Sequence, residues 1–213
     1  MPERPAPKAA APPAPVPPRP RGRPKKGEVH PAPEPTRLHQ QAQRSLAENL
    51  ADLPRLCDSG CKNGSQDQPI YWRGYKLHLD VIDGDIPVSA VLTSASKHDS
   101  PAAIPLMQMT ATRVRSLYTL MDAAYDAPAS HAYARSLGHM PIIEPVKRGD
   151  WRPLDEAERR RYAERSAAER VNSRLKEHGG ARTVRVRGAA KVMCHLMFGV
   201  LVIAAQGIWQ RWV

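Results

Sequence analysis

Alternating apolar and polar residues in the middle of the chain predict a β-hairpin. In the stretch WRGYKLHLDVIDGDIPVSAVLTSAS, apolar side chains recur at every second position, at Tyr75, Leu77, Leu79 and Val81. This period of two is typical of a strand that is buried on one face. Asp83-Gly84 then supplies a turn signal, and residues 86–94 form the returning strand.

The remaining pattern predicts an α/β fold. We expect a short polar helix or linker over residues 37–52 and one strand before Trp72, within the stretch DLPRLCDSG. After the hairpin the pattern predicts, in order, a helix at 101–115, a strand at 115–121 that ends on Asp122, a helix at 128–137, a strand at 139–146 and a helix from Asp155 to His178. This order indicates a mixed sheet flanked by helices and matches the ribonuclease-H-like, or retroviral-integrase-like, fold.

The last of these helices separates apolar from charged residues. At about 100° per residue, one side carries Ala163, Ala167, Ala168, Val171 and Leu175. The opposite side carries Tyr162, Arg165, Glu169 and Lys176 within an arc of about 60°. A solvated helix with ion pairs between successive turns is the ordinary interpretation of such a pattern.

The charge of the chain favours a polyanionic partner. The net charge is +11, which indicates nucleic acid before a membrane surface. Residues 1–44 hold nine Lys/Arg and three acids, residues 45–146 hold eight and eleven, and residues 147–191 hold fourteen and seven. An acidic middle between basic flanks suits a metal-dependent site that acts on DNA.

The first 36 residues form a separate, Pro/Ala-rich basic tail. Thirteen of the 22 prolines precede residue 37, a composition that cannot bury a core and predicts disorder. Within the tail, Arg21-Gly22-Arg23-Pro24 resembles an AT-hook, in which Arg-Gly-Arg-Pro lies in the minor groove of A·T-rich DNA. An ordinary basic linker is an equally good interpretation of Arg21 and Arg23.

Two further features bear on the location of the protein. Residues 189–213 form an apolar run that approaches the length of a membrane span, but His195, Gly199 and Gln206 interrupt it. We therefore interpret the run as a terminal core helix, with no membrane partner. Three cysteines and no secretory signal predict a reducing cytoplasm, where we expect the thiols to be buried.

Acids at separate points of the chain are candidates for one metal site. Asp122 ends a predicted strand, Glu169 lies on the polar face of a helix, and Asp58 is the best acid near the first strand. Mg²⁺ or Mn²⁺ prefers hard oxygen ligands, and two such ions can promote in-line displacement at phosphorus. Asp80 on the hairpin is the alternative to Asp58, whereas Asp99 is better interpreted as a helix cap.

Three stretches together resemble the catalytic domain of bacterial insertion-sequence transposases of the DDE type. They are GYKLHLDVIDGDIPVSAVLTSASKHDS, LMDAAYDAP and YAERSAAERVNSRLK. The third fits the signature Tyr-x2-Arg-x3-Glu-x6-Lys at every spacing. The resemblance runs from about residue 53 to the C-terminus, which we expect to be one catalytic domain.

The resemblance implies roles for individual residues. Asp122 would be the second catalytic aspartate and Glu169 the catalytic glutamate, while Tyr162, Arg165 and Lys176 would contact DNA near the cleaved phosphate. The implied reaction is metal-dependent strand cleavage and 3′-end transfer, carried out by a homodimer on element ends and target DNA in the bacterial cytoplasm, at the nucleoid. Such transposases usually carry a helical recognition domain before the catalytic one. Because a proline-rich tail stands there, a truncated protein or an inactive DNA-binding remnant is the alternative.

Overall fold

The computed structural model describes residues 35–64, 68–147 and 152–212. These residues belong to one compact unit, Pro35–Val213. The predicted AT-hook, with Arg21 and Arg23, lies outside the described residues, and so does the rest of the N-terminal tail up to Glu34.

Seven α-helices and five β-strands make up the described residues. The strands are β1 (Asp58–Asn63), β2 (Pro69–Ile82), β3 (Ile86–Ser94), β4 (Tyr118–Met121) and β5 (Met140–Ile143). The helices are α1 (Arg37–Gln41), α2 (Leu46–Asp52), α3 (Ala103–Ala111), α4 (Pro128–Ser136), α5 (Glu156–Tyr162), α6 (Ser166–Glu177) and α7 (Ala189–Trp212). Short 3₁₀ turns occupy Ser100–Ala102, Ala123–Tyr125 and Ala163–Arg165.

The predicted hairpin is confirmed. β2 and β3 pair antiparallel from Tyr75↔Ser94 to Ile82↔Ile86. The turn between them uses Gly84 and Asp85, whose φ angles of 84° and 57° lie in the left-handed region. β1 pairs antiparallel with the first part of β2, with Asp58 opposite Gly74. β1 therefore begins at Asp58, near the end of the stretch DLPRLCDSG in which the sequence predicted the first strand, and continues to Asn63.

Helices cover both faces of this three-stranded sheet. Consecutive residues of β3 point to opposite sides: Val91 packs in a cluster with Leu106 of α3, and Leu92 packs with Leu196 of α7. On β2, Leu77, Leu79 and Val81 pack against the cluster formed by α6 and α7. Because both faces are covered, every residue of β3 except Val88 is buried.

The remaining two strands form a second sheet. β4 and β5 pair in parallel, with Met121 opposite Ile143. In the described ranges, therefore, the strands form two sheets, where the sequence predicted one mixed sheet. Among the described strands, β4 pairs with β5 alone and forms no ladder with the three-stranded sheet. The α/β class is confirmed, and the ribonuclease-H-like fold stays a prediction.

Two predicted helices are interrupted. The region 37–52 contains α1 and α2, and Ser45 caps α2 in a capping box with Glu48. The long helix predicted from Asp155 to His178 contains a 3₁₀ turn at Ala163–Arg165, between α5 and α6. Because a 3₁₀ helix turns about 120° per residue, three such residues rotate the helix face by about 60° relative to an α-helix.

The apolar C-terminal run forms α7, one face of which packs into the core. Val192, Leu196, Val200 and Ile203 are buried against the three-stranded sheet and α6. In the described part of the chain, α7 is the one helix that is long and apolar enough to cross a membrane by length and composition. Its packing against β3 and α6 supports the interpretation as a core helix.

The cysteines are free and exposed, so the expectation of buried thiols is wrong.

Candidate functional site

The site begins where the two parallel strands end. Asp122 directly follows β4 and Glu144 directly follows β5, and the Glu144 N–H donates to Met121 O at 3.1 Å. Parallel strands bring their carboxyl ends to one edge of a sheet, so the register of β4 and β5 places these two acids side by side. The sequence analysis found Asp122 but missed Glu144. The same rule, an acid at the end of an apolar strand, would have found it.

Arg165 joins two of the predicted site residues. Its guanidinium lies 2.7 Å from Glu169 Oε1 and 3.9 Å from Asp122 Oδ2. Glu169 lies one turn further along the helix, whereas Asp122 lies 43 positions earlier in the chain. The 3₁₀ turn that ends at Arg165 therefore carries a cation between an acid of α6 and the acid at the end of β4.

Tyr162 lies against the same group of charged residues. Its hydroxyl donates to Glu144 Oε2 at 3.1 Å, and the Arg165 guanidinium carbon lies 5.5 Å from the centre of its ring. Burial, assisted by the nearby Glu144 and Asp122 carboxylates, raises the pKa of the Tyr162 hydroxyl to about 12. The hydroxyl is therefore protonated at neutral pH and acts as a hydrogen-bond donor.

The surroundings of Asp122 make its ionisation unfavourable. Burial raises the pKa of the Asp122 carboxyl above its ordinary value, and the nearby Asp99 and Glu144 carboxylates add to that rise. The Ala124 N–H, which donates to Asp122 Oδ1 at 3.1 Å, and the Arg165 guanidinium oppose it. A half-buried carboxyl among other acids favours a bound cation.

A cleft of about 1720 Å³ opens beside this group. Asp122, Arg165 and Lys176 line it, whereas Asp58, Tyr162 and Glu169 do not. Ten Lys/Arg and five Asp/Glu contribute to its walls, so the cleft is cationic overall. Its dimensions and charge suit a polyanion.

The Asp58 carboxylate is bound by Ser96 and takes no part in the contacts of Arg165 with Asp122 and Glu169. One of its carboxylate oxygens accepts from the Ser96 N–H at 2.9 Å, and the other accepts from the Ser96 hydroxyl at 2.5 Å. The Ser96 hydroxyl is the main cause of a lowered pKa of the Asp58 carboxyl. Both oxygens are thus engaged by the turn that follows β3.

Asp80, the alternative to Asp58, lines the same cleft as Asp122. Its carboxylate accepts from the Thr110 hydroxyl at 2.6 Å, and burial raises its pKa.

Asp99 also lines the cleft. It occupies the expected position before the 3₁₀ turn at residue 100, but its side chain makes no capping bond and pairs instead with Lys76 Nζ at 2.9 Å. The interpretation of Asp99 as a cap is therefore wrong.

A buried histidine connects the hairpin to the Asp122 loop. His78 Nδ1 lies 3.0 Å from the Tyr125 hydroxyl, and His78 Nε2 lies 2.9 Å from Thr93 Oγ1. Burial lowers the pKa of His78 to about 4, so the ring is neutral at physiological pH. Tyr125 closes the 3₁₀ turn by donating its N–H to Asp122 O at 3.0 Å. The histidine thus fixes the loop that begins with Asp122.

The donor chemistry of the site fits a divalent cation in part. Asp122 and Glu169 are hard oxygen donors that already share one positive group, Arg165. In the described residues, no group of three or more His, Cys, Asp or Glu side chains is arranged to hold a metal ion. Two of the three predicted ligands are thus connected, and the third is not.

The chain matches the model of a known protein family. A model of the transposase DDE domain family matches residues 48–204. No curated protein and no solved structure matches the chain at a significant level. The matched range covers most of the chain and includes Asp58, Asp122 and Glu169. The chain belongs to the transposase DDE domain family.

Proposed function

We propose that this protein catalyses metal-dependent cleavage of DNA strands and transfer of the 3′ ends during transposition of an insertion sequence. The observation that carries the proposal is the pair of contacts that Arg165 makes with Asp122 and Glu169. Family membership supports a transposase in general, and the cationic cleft beside Asp122 supports DNA as the substrate. We also propose that the domain adopts a ribonuclease-H-like fold.

The proposed catalytic residues are Asp58, Asp122 and Glu169. When bound by these carboxylates, one or two Mg²⁺ or Mn²⁺ ions supply an activated water or 3′-hydroxyl and neutralise the leaving oxygen. For Asp58 to join the other two acids, its carboxylate must exchange its hydrogen bonds with Ser96. Asp80 stays the alternative, since it lines the cleft together with Asp122.

The neighbouring side chains hold the DNA. Arg165 and Lys176 bind backbone phosphates through charge. The Tyr162 hydroxyl carries one proton, which it donates to Glu144 in this structure, so it must release that carboxylate to donate to a phosphate oxygen. In the tail, Arg21 and Arg23 enter the minor groove of A·T-rich DNA. The protein acts in the bacterial cytoplasm, where the nucleoid lies.

We further propose that a homodimer acts on the DNA, with the outer face of α7 against a second copy. That face exposes Phe198, Leu201, Val202, Ile208 and Trp209. No charged residue lies between Lys191 and Arg211, so two such faces pair without burying a charge. Light scattering should find a dimer that Leu201→Glu dissociates. A monomer at every concentration, or binding of the wild type to lipid vesicles, would contradict this proposal.

The experiment that tests the proposed reaction uses DNA that contains the sequences flanking the gene. Cleavage should require Mg²⁺ or Mn²⁺ and should be lost in Glu169→Gln, while that variant keeps most of its DNA affinity. Glu177→Gln is a matched control, because Glu177 is an exposed acid at the end of the same helix and does not line the cleft. Equal cleavage by wild type and Glu169→Gln would reject the proposed reaction.

The alternative function is DNA binding without catalysis, by a catalytically inactive transposase remnant. The hydrogen bonds of Asp58 with Ser96 favour it, because only Asp122 and Glu169 share the contact with Arg165. Binding that is unaffected by metal, with no cleavage under any condition, would support this alternative. Deletion of residues 1–36 would then measure the contribution of the tail through the salt dependence of binding.

A further inference from the structure

The connection between α6 and α7 carries cations that no contact among the described residues explains. From residue 178 to the C-terminus the sequence holds five Lys/Arg and no acid. Three of these cations, Arg182, Arg185 and Arg187, lie within six residues and are exposed. None of the three makes an ion pair or a side-chain hydrogen bond with another residue of the described ranges. By contrast, Arg165 and Arg170 each pair with carboxylates.

The backbone that carries these arginines is fixed at both ends. Before the first arginine, the Ala181 N–H donates to Leu175 O of α6 at 3.1 Å. After the last one, Gly188 O accepts from the Val192 N–H of α7 at 3.0 Å. Between these points, Val184 packs against the apolar cluster that α7 shares with β3. The segment is therefore anchored to the core, while its three arginines are exposed to solvent.

Two of the three arginines face the cleft of the candidate site. Arg182 and Arg187 line the same cleft as Asp122 and Lys176, whereas Arg185 does not. Arg185 lies between them in the chain and points elsewhere. The same short segment thus contains two arginines in the cleft and one exposed arginine outside it.

These observations favour an anionic ligand, because no described residue supplies a negative charge to these arginines. The planar guanidinium donates two parallel hydrogen bonds to a phosphate, and an unpaired arginine gives up no carboxylate partner when it does so. An anchored segment also loses less conformational freedom on binding than a mobile one.

We propose that Arg182 and Arg187 bind backbone phosphates of DNA in the cleft that Asp122 lines. The inference rests on the proposed function, because DNA is the substrate in both. It assigns phosphate contacts to the segment between α6 and α7, in addition to those of Arg165 and Lys176.

The test measures binding of the full chain to a short labelled duplex of random sequence, by fluorescence anisotropy, across a series of KCl concentrations and with EDTA present. Arg182→Gln and Arg187→Gln should each reduce the slope of log K against log salt by about 0.9. Each should weaken binding about eightfold at ~0.1 M salt, as that slope implies. Arg185→Gln and Arg135→Gln are the matched controls, since both arginines are exposed and outside the cleft. Thermal unfolding should be the same for all four variants.

The outcomes separate this inference from the proposed reaction. If the wild type binds with a salt dependence that neither Arg182→Gln nor Arg187→Gln alters, the phosphate contacts are refuted while metal-dependent cleavage can stand. If the controls lose as much slope as the cleft variants, the effect is one of net charge, and the inference is equally refuted. If the slopes change as expected but the wild type never cleaves DNA with metal, the contacts stand and the proposed reaction fails.

Discussion

The Tyr162 hydroxyl donates a hydrogen bond to the Glu144 carboxylate, 3.1 Å away. This contact ties the end of α5 to the acid that follows β5. Because the Tyr162 ring also lies beside the Arg165 guanidinium, the contact helps to fix the cation that joins Asp122 and Glu169. The hydrogen bond between Tyr162 and Glu144, neither of which is one of the three predicted acids, thus helps to hold the candidate site together.

A double-mutant cycle checks this contact. Tyr162→Phe and Glu144→Gln should each lower the free energy of unfolding, and the double variant should lose less than the sum of the two. A half-exposed hydrogen bond predicts a coupling free energy of about 1 kcal/mol. Urea unfolding of the four proteins measures it. Strictly additive losses would show that the two side chains do not interact.

Removing Arg165 should alter the response of the protein to metal. With Arg165→Gln, Asp122 and Glu169 lose the cation that they share, so a divalent ion no longer competes with the guanidinium. Mn²⁺ should therefore raise the unfolding temperature of this variant more than that of the wild type. Arg170→Gln is the control, because Arg170 pairs with Asp85 instead. A smaller Mn²⁺ effect in Arg165→Gln than in the wild type would contradict competition at this position.

His78 should make folding sensitive to acid. Its pKa falls from 6.5 to about 4 on burial, so the unfolded chain binds a proton between those values and the folded chain does not. Stability should therefore be complete above pH 6.5 and decline as the pH falls towards 4, by up to about 3 kcal/mol. Calorimetry across this range should show a shallower decline for His78→Gln. Parallel curves for the two proteins would exclude His78 as the cause.

Gly199 should be intolerant of a side chain. A Cβ atom there would lie 2.7 Å from Leu175 Cδ1 and 2.8 Å from Gly179 O, at the crossing of α7 and the end of α6. Gly199→Val should therefore lower the free energy of unfolding by about 1–3 kcal/mol, as overpacking does. Gln210→Val, at an exposed polar position of the same helix, should change it little. Equal effects at the two positions would argue against the packing of α7 on α6.

Local patterns predicted the elements of this fold better than their arrangement. The hairpin was predictable because Leu77, Leu79 and Val81 alternate with polar residues, and Asp122 because it follows an apolar strand. The position of Asp58 was not predictable, because it depends on the register in which β1 pairs with β2, where Asp58 lies opposite Gly74. The 3₁₀ turn at Arg165 was also hidden, since no proline or glycine interrupts that helix.

In the candidate site too, the sequence identified individual residues but not the contacts between them. The spacing of Tyr162, Arg165 and Glu169 was visible in the sequence. The contacts of Arg165 with Asp122 and of Tyr162 with Glu144 require the tertiary structure. Arg182 and Arg187 contributed only to a count of charges until the structure placed them in the wall of the cleft that Asp122 also lines.

The measurement that tests the central claim most directly is a Mn²⁺ titration of the protein without DNA, followed by electron paramagnetic resonance of the free ion. If Asp122 and Glu169 hold the same ion, Asp122→Asn and Glu169→Gln should each weaken binding about tenfold or more. Glu177→Gln should leave it unchanged. Wild-type affinity in both Asp122→Asn and Glu169→Gln would contradict the account.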